Sequence, residues 1–476
     1  MRSFVFLLVL GGVSAVALTP EEAEGRLRMA VQIARERNDR ALVARVEKLG
    51  REFKAELPAD AEVRLREAET AVGIDPGGWA MAGQPLFHPT AEMKARQAEL
   101  NARLAEAMKS DDAAQVRAVT REMLKVLGDQ AGVPDGRRAG KKAEPVTLGE
   151  AEATRLFVEA LKSEGRRVRQ LSEGRPFPDQ MLRLYADVLN GVTHVRPFAE
   201  KHQPEAVVEL DRLTSGVAGM LVRLQQPAGF FPFPDLRGKN IRFGAMITRQ
   251  VEAGTVEVKD GWVISADPDG GTQFDTGVCG AALLQAGVLH QNAEWKQAGL
   301  RAADWALAQK CCANFNYNAF SVSLLTQAYL ATGDMKYLEG ALKKFRVGVA
   351  PGQAPNGRWM DAHNARTVYH VIIVRGLGEL AMALTLPKER LQEREEVDAV
   401  LKPALQALLD EFDAMGLTVE ALPELKILTA LYPEDGRLKT AVQSMEGSII
   451  GKCTDGKQVK MGASVTQLAW VVGVKP

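Results

Sequence analysis

The chain has 476 residues, and its 60 basic side chains are balanced by 60 acidic ones, so the formal net charge at pH 7 is zero. This balance excludes the long-range attraction that draws basic proteins to nucleic acids or anionic membranes. The length is sufficient for a large hydrophobic core and for two domains.

The first seventeen residues have the pattern of a secretory signal peptide. Arg2 precedes an apolar run from Phe4 to Val16, and the sequence Ala15-Val16-Ala17 supplies an A-x-A cleavage signal. The apolar run is too short to span a bilayer. We therefore predict a signal peptide over residues 1–17, no membrane span after its removal, and a secreted or periplasmic protein. A retained N-terminal anchor is the alternative.

Residues 18–131 are predicted to form a helical N-terminal region. They are rich in Ala, Glu, Arg, Lys and Leu with helical periodicity, and the predicted helices cover about 20–37, 39–55, 59–72, 90–109 and 111–127. The region has no cluster of catalytic type, which favours a scaffold or a surface for protein contacts. A basic segment with several Gly and Pro residues follows, and we interpret residues 132–146 as a linker.

From residue 147 to residue 476 the sequence repeats a helical hairpin. Nearly all-apolar helices are predicted to begin close to Thr276, Ala319, Ala365, Thr418 and Ala463, which lie 43 to 53 residues apart. More charged, amphipathic helices lie between them. An apolar helix is buried and an amphipathic one faces solvent, so the repeat predicts an inner and an outer layer of helices, as in a superhelix or a closed ring.

A second repeat favours the closed ring. The segments 225–231 and 353–359 both read Gln-x-Pro-x-Gly-x-aromatic, and each follows a predicted outer helix. This element resembles the Gln-x-x-x-Gly-x-Trp repeat of α/α-toroid proteins, which include terpenoid cyclases, pectate lyases and six-hairpin glycosidases. The resemblance covers roughly residues 150–476 and implies an all-α fold, an α/α toroid of repeated helical hairpins. The chain has no Asp-x-Asp-Asp motif of the cyclases, so the carbohydrate-active members fit better.

Three loops before successive inner helices carry the polar residues that such a toroid would gather into one cleft. The predicted catalytic residues are His363, Tyr369, Arg366, His370 and Asp275. The predicted substrate-binding residues are Asn364, Asp361, Trp359, Asn316, Tyr317, Asn318 and Gln273. Amides and carboxylates bond sugar hydroxyls, and aromatic rings stack on apolar sugar faces, so we predict a polysaccharide or oligosaccharide ligand.

Two chemistries and one binding role fit this set. The mixture of Asn, His, Tyr and Arg is similar to the catalytic set of toroid-type polysaccharide lyases, which implies β-elimination on a uronate glycan. In that mechanism Arg366 and Asn364 neutralise the carboxylate, His363 or His370 removes the C5 proton, and Tyr369 protonates the leaving oxygen. Alternatively, Asp275 and Asp361 form a carboxylate pair for glycoside hydrolysis. The third possibility is a non-catalytic module that binds a glycan or a protein.

Several of these residues also have a purely structural explanation. Asn318 and Asn364 lie where helix N-caps are expected, and His370 begins a buried stripe, so we expect its pKa to be lowered by desolvation. Arg375 and Glu379, one turn apart, are predicted to form an internal ion pair.

The sequence predicts no cofactor and no site with zinc-type ligand spacing. Asp267 and Asp269 have a weak calcium-site character without the ligand pattern of an EF-hand loop. Among the four cysteines, a disulfide from Cys279 to Cys311 or Cys312 is expected after export.

Overall fold

A computed structural model describes residues 23, 24, 27, 30, 31, 34, 40–55, 58, 60–71, 91–134, 142–265, 271–385, 388–454 and 463–473. The predicted signal peptide and the loop with Asp267 and Asp269 lie outside the described residues. The α-helices within them are α1 (Arg40–Ala55), α2 (Ala61–Ala71), α3 (Ala91–Lys109), α4 (Ala113–Leu127), α5 (Glu150–Ser163), α6 (Gly165–Ser172), α7 (Leu182–His202), α8 (Val207–Leu224), α9 (Ile241–Glu252), α10 (Thr272–Leu289), α11 (Ala293–Ala308), α12 (Phe315–Thr332), α13 (Met335–Gly348), α14 (Thr367–Ala383), α15 (Leu391–Met415), α16 (Leu422–Leu431), α17 (Gly436–Thr454) and α18 (Ala463–Ala469).

Six helices form an inner ring, and the packing of its last member closes it. Helix α7 packs on α10, α10 on α12, α12 on α14, and α14 on α16. Helix α18 packs back on α7 and also contacts the short turn that precedes α16. The protein is therefore an α/α toroid, as the sequence predicts. We call the space enclosed by the six inner helices the lumen.

The outer layer consists of one helix behind each inner helix. Helices α8, α11, α13, α15 and α17 each follow their inner partner and pack against it. The sixth outer helix is α5, which comes before the ring in sequence and packs against α18 at its end. The sixth hairpin is thus assembled from the two ends of the domain, which is how a chain closes a ring without a knot.

The apolar helices are buried, as their composition predicts. On α14, Val371, Ile373, Val374 and Leu377 all have at most 4 % of their surface exposed. The helix starts at Thr367, slightly later than predicted, and Arg366 occupies its N-cap position.

A small antiparallel sheet is the main departure from an all-helical chain. Its strands are β1 (Phe233–Pro234), β2 (Glu257–Lys259) and β3 (Trp262–Ile264), in the order β1-β3-β2. It lies in the long connection between α8 and α10, together with α9 and a separate apolar cluster that includes Phe243 and Ile247. The connection enters the ring at the N-terminal end of α10.

The two Gln-x-Pro-x-Gly-x-aromatic segments make the same contacts. In the first, Gln225 Nε2 donates to Gly229 O (2.9 Å) and to Ala298 O (2.8 Å) on the next outer helix. In the second, Gln353 Nε2 donates to Gly357 O (3.1 Å) and to Val400 O (2.8 Å). The motif therefore ties one hairpin to the following outer helix, which explains why it recurs.

The glycine of this motif is required by both backbone conformation and space, and its replacement tests the role of the motif. Gly357 has φ 80°, and a Cβ atom there would lie 2.2 Å from Pro403 O. Gly333 has a similar φ of 72° but nothing within 4 Å of such an atom. We expect Gly333→Ala to cost about 1 kcal/mol of stability from backbone strain alone. Gly357→Ala should cost about 3 kcal/mol, because overlap with the α15 backbone is added. Equal losses in urea denaturation of the two variants would show that the motif is not tightly packed.

Part of the N-terminal region is bound to the ring. Helix α4 packs on α13. Asp111, at the turn between α3 and α4, forms ion pairs with Lys310 and Lys343 of the ring. The N–H of Gly132 donates to Met360 O at 3.1 Å. The α3–α4 hairpin therefore supports the loops that lead into α12 and α14.

The predicted linker is also attached where it is described. Residues 142–146 lie along α17, where Ser444 Oγ donates to Ala143 O (2.8 Å) and the N–H of Val146 donates to Gln443 O (3.4 Å). Glu144 O lies against Gly447, where a Cβ atom would be only 2.3 Å away. Residues 142–146 therefore pack on the outer surface of the ring and are bonded to it.

The cysteine pairing predicted from the sequence is wrong. Cys279, Cys311 and Cys312 are buried, and Cys279, which both predicted pairings require, is a free thiol, as is Cys311. Cys279 lies in the middle of α10, whereas Cys311 and Cys312 lie in the loop before α12.

Within the described helices, none has the length and hydropathy needed to cross a membrane.

Candidate functional site

The N-terminal ends of the inner helices lie on one face of the ring, because each inner helix is followed by an outer helix that returns the chain. We call this face the rim. The loops before α12 and α14 meet there: Asn364 Oδ1 accepts hydrogen bonds from the N–H of Asn316 (3.1 Å) and from its Nδ2 (2.8 Å). Asn364 in turn donates through Nδ2 to both carboxylate oxygens of Asp361 (3.0 and 2.9 Å). Asn316, Asn364 and Asp361 thus form one polar group at the rim, as the predicted convergence requires.

His363 and Tyr369 also come together at the rim. Their rings are stacked with centroids 4.0 Å apart and an interplanar angle of 28°. His363 is partly exposed, whereas Tyr369 is 2 % exposed, so Tyr369 supports the imidazole from below. Arg366 is also partly exposed at this position.

Three residues predicted to contact substrate have structural positions instead. Trp359 is fully buried, and its Nε1 donates to Val349 O at 2.8 Å. Asn318 is fully buried and bonds Cys312 and Gly348 through its amide. Every polar side-chain atom of these two residues is already bonded within the protein, so neither belongs to the candidate site.

His370 is the third. It is fully buried, and Ala404 O accepts a hydrogen bond of 2.8 Å from its Nε2. Burial, with a smaller contribution from the Arg358 cation, lowers the pKa of His370 to about 3. The imidazole is neutral, as predicted, but it faces the outer helix α15 and does not reach the lumen. It therefore cannot act as a base on a ligand there.

The upper wall of the lumen is aromatic. Phe274 and Phe320, from α10 and α12, are stacked with ring centroids 4.1 Å apart, and Tyr317 lies beside Phe274 at 6.5 Å. Tyr317 is only 2 % exposed, and burial raises the pKa of its hydroxyl. The partly exposed Ile372 of α14 packs against this cluster. The rings are buried against one another, so they stabilise the packing of α10 on α12.

Asp275 is held by a buried ion pair between α7 and α10. Arg183 donates from Nε to Asp275 Oδ1 (2.8 Å) and from Nη2 to Oδ2 (2.6 Å), in a bidentate arrangement. The guanidinium also lies over the Phe274 ring, 3.7 Å from its centroid. Asp361, the other member of the predicted carboxylate pair, bonds Asn364 at the rim. Each of the two carboxyl groups therefore has a protein partner of its own, and their joint role in hydrolysis stays a prediction.

Deeper in the lumen lies a second group of charged side chains, which we call the floor: Asp187 on α7, Arg375 and Glu379 on α14, and Glu424 on α16. Arg375 Nε donates to Glu379 Oε1 at 2.9 Å, which confirms the predicted internal ion pair. Its Nη1 lies 3.9 Å from Glu424 Oε1. The second oxygen of Glu379 accepts from Ser323 Oγ on α12. Polar contacts thus link the inner helices from α12 to α16.

Water reaches this floor. Arg375 is the ninth residue of α14, about 12 Å from its start at 1.5 Å per residue, yet 22 % of its side chain is exposed. Asp187, in the second turn of α7, is also partly exposed. Both residues therefore keep some exposed surface, although they lie on opposite members of the ring.

The two carboxyl groups beside Arg375 have raised pKa values. Desolvation raises the pKa of Asp187 to about 6, although the cations Arg375 and Arg183 oppose the shift. Desolvation likewise raises the pKa of Glu424 to about 7, with Arg375 opposing and the nearby charge of Asp187 adding to the rise. Because the two groups influence each other, the proton that they hold near neutral pH belongs to the pair.

Among the buried polar atoms that have no hydrogen-bond partner within the described part of the chain are four from different inner helices: Arg183 Nη1, Gln273 Nε2, Asn316 Oδ1 and Glu424 Oε2. Arg183 Nη1 and Gln273 Nε2 are donors, and Asn316 Oδ1 is an acceptor. Gln273 is held in place through its other amide atom, since Ser321 Oγ donates to Gln273 Oε1 at 2.7 Å. Buried polar atoms are almost always satisfied, so these atoms mark where water or a ligand binds.

Sequence reasoning did not find Asp187, Arg183 or Glu424. Asp187 and Arg183 are four residues apart on a helix of mixed pattern, where an ion pair on a solvated face is the usual interpretation. The feature of the sequence that could have revealed Asp187 is its apolar surroundings, because Ala186, Val188 and Leu189 flank it. No group of His, Cys, Asp and Glu suited to a metal ion occurs among the described residues.

Comparisons with known proteins identify no family. No protein-family model matches the chain, and no curated protein is similar to it. A search of solved structures finds, among others, a GH76 α-mannanase of Bacteroides thetaiotaomicron. That match has 11 % sequence identity and a TM-score of 0.39, and it covers 62 % of this chain and 84 % of the mannanase chain. The similarity is too weak to indicate a function.

Proposed function

We propose that the protein is an exported carbohydrate-active enzyme that hydrolyses glycosidic bonds in the lumen of the ring. The observation that carries the proposal is the floor. Two carboxyl groups with raised pKa values, Asp187 and Glu424, come from different inner helices and are both influenced by the charge of Arg375, whose side chain is partly exposed. A pair of carboxyl groups, one protonated and one ionised, is the chemical requirement for glycoside hydrolysis.

The environments of the two groups assign their roles. Glu424 has the higher pKa and is only 8 % exposed, so it keeps the proton and acts as general acid on the glycosidic oxygen. Asp187 is more exposed to water and lies near two arginines that favour its ionised form. It acts as the base that activates water, or as the nucleophile at the anomeric carbon. The glycosidic C–O bond breaks, water is consumed, and a new reducing end forms.

The alternative of β-elimination has weaker support. One of its two candidate bases, His370, is sealed from the lumen by burial. The other residues of that hypothesis, His363, Arg366 and Tyr369, lie at the rim, and Tyr369 is itself almost fully buried. At the rim, the partly exposed His363 and the unpartnered Oδ1 of Asn316 fit better as ligand contacts above the floor, and Asn364 holds Asn316 and Asp361 in place.

The test is incubation of the mature protein with a panel of polysaccharides and oligosaccharides. New reducing ends without the ultraviolet absorbance of an unsaturated uronate would support hydrolysis. That absorbance would show elimination and overturn the proposal. Binding without any cleavage across the panel would indicate a non-catalytic glycan module.

A further inference from the structure

The charged side chains of the rim and lumen are unequal in number. Three arginines face five carboxyl groups; they are Arg183, Arg366 and Arg375 against Asp187, Asp275, Asp361, Glu379 and Glu424. With one proton on the Asp187–Glu424 pair, the region still carries a net negative charge. This is unusual in a chain whose total charge is zero.

Two of these arginines are already engaged by protein carboxylates. Both oxygens of Asp275 accept from Arg183, and Arg375 is shared between Glu379 and Glu424. Binding of an acidic ligand by Arg375 would compete with these two carboxylates, which is costly because it leaves a carboxylate without its countercharge in a site of low polarity. The charge of Arg183 is already compensated by Asp275, so this residue offers a ligand only the N–H bonds of its Nη1 atom. Arg366, at the rim, is about one helical turn above Tyr369 and well above the floor.

The unpartnered atoms fit a different ligand group. Arg183 Nη1 and Gln273 Nε2 are donors, and Asn316 Oδ1 is an acceptor, whereas Glu424 Oε2 can donate when its carboxyl group is protonated and accept when it is ionised. A hydroxyl group donates one hydrogen bond and accepts others, so hydroxyls satisfy every one of these atoms. A carboxylate or sulfate group only accepts, and it would leave Asn316 Oδ1 without a donor.

We propose that the lumen binds uncharged sugar residues and rejects uronic and sulfated ones. The inference rests on the proposed function and narrows its substrate class. The sequence predicts a uronate substrate from the rim residues alone. The carboxyl groups of the floor, which the sequence does not reveal, favour an uncharged substrate instead. Like charges brought together in a desolvated site lower affinity strongly, so we expect the uncharged member of a matched pair to bind at least about tenfold more tightly.

The experiment uses pairs of oligosaccharides that share their linkages. One member of each pair contains uronic acid, the other is its carboxyl-reduced counterpart, and both have thio-linkages that resist hydrolysis. An array of these pairs is screened with the mature wild-type protein, and the dissociation constants of the pairs that bind are then measured by calorimetry. Tighter binding of the reduced member supports the inference. Tighter binding of the acidic member overturns the inference while the protein remains a glycan-binding protein. Binding to no member of any pair overturns the proposed function itself.

A pair of variants tests the electrostatic cause. At pH 8, above its pKa of about 7, Glu424 is ionised, so Glu424→Gln removes one negative charge from the floor and should narrow the difference in affinity between the two members of a pair at that pH. Glu294→Gln makes the same change on the exposed surface of α11 and should leave the difference as in the wild type. If Glu424→Gln leaves the difference unchanged, charge at the floor is not the cause and the inference fails.

Discussion

Asp187→Asn is expected to reduce kcat on a cleaved glycan by about 10²- to 10⁴-fold, with the ring intact. The amide has nearly the shape of the carboxyl group, but it cannot accept a proton or attack the anomeric carbon. Since Asp187 is at the floor and not at the rim, KM should change much less than kcat. The measurement is the initial rate of reducing-end release by purified variants at matched concentration.

The pH dependence follows from the same two groups. Hydrolysis needs Asp187 ionised, which requires a pH above its pKa of about 6, and Glu424 protonated, which requires a pH below its pKa of about 7. The rate should therefore follow a narrow bell with its maximum between these values. Glu424→Gln should lower the rate and also remove the fall on the alkaline side, because no proton remains to be lost there.

Stability measurements separate loss of catalysis from loss of fold. A carboxyl group whose pKa is raised by folding is destabilising when ionised, so its contribution worsens as pH rises from the unfolded pKa through the folded pKa. Asp187→Asn should accordingly leave stability unchanged at pH 4 and raise it slightly at pH 8. Asp304→Asn, on the outer helix α11 where the carboxylate accepts from Tyr337 Oη, is the matched control and should keep full activity. Normal turnover in Asp187→Asn would remove this residue from the mechanism.

The sequence predicts the architecture well because the ring is built from local repeats. Each hairpin carries its own buried and exposed helix, and the glutamine of the repeated motif reaches only the next hairpin, as Gln353 does with Val400. The closing hairpin was beyond prediction, because α5 and α18 are separated by some 300 residues and neither shows a repeat with the other. Their pairing is decided by the geometry of the ring.

The candidate site was predicted only in part for the same reason. The rim residues Asn316, Asn364 and His363 stand close together in loops whose polarity is visible in the sequence. Asp187 and Glu424 lie in helices far apart along the chain, and only the ring brings them to Arg375. Trp359 and His370 were misassigned because a polar or aromatic residue at a helix entrance can equally point outward, between the inner and outer layers.

Asp275→Ala is expected to cost about 3 to 5 kcal/mol of unfolding free energy. Arg183 is 4 % exposed, and in the variant its guanidinium would remain buried without a countercharge. Its contact with the Phe274 ring persists but is worth much less than the lost bidentate pair. Asp211→Ala breaks the partly exposed pair with Arg196 on the outer surface and should have a much smaller effect. Urea denaturation of both variants measures the difference.

The double variant Arg183→Met/Asp275→Leu distinguishes a stabilising ion pair from one that is retained for the site. Replacing both partners by apolar side chains removes the buried charges, so most of the stability lost in Asp275→Ala should return. Glycan binding should remain weaker than in the wild type, because the double variant lacks Arg183 Nη1, one of the four unpartnered atoms of the lumen. If the double variant is as unstable as Asp275→Ala, the pair is needed for the packing of α7 on α10. If it binds glycan normally, Arg183 does not contact the ligand.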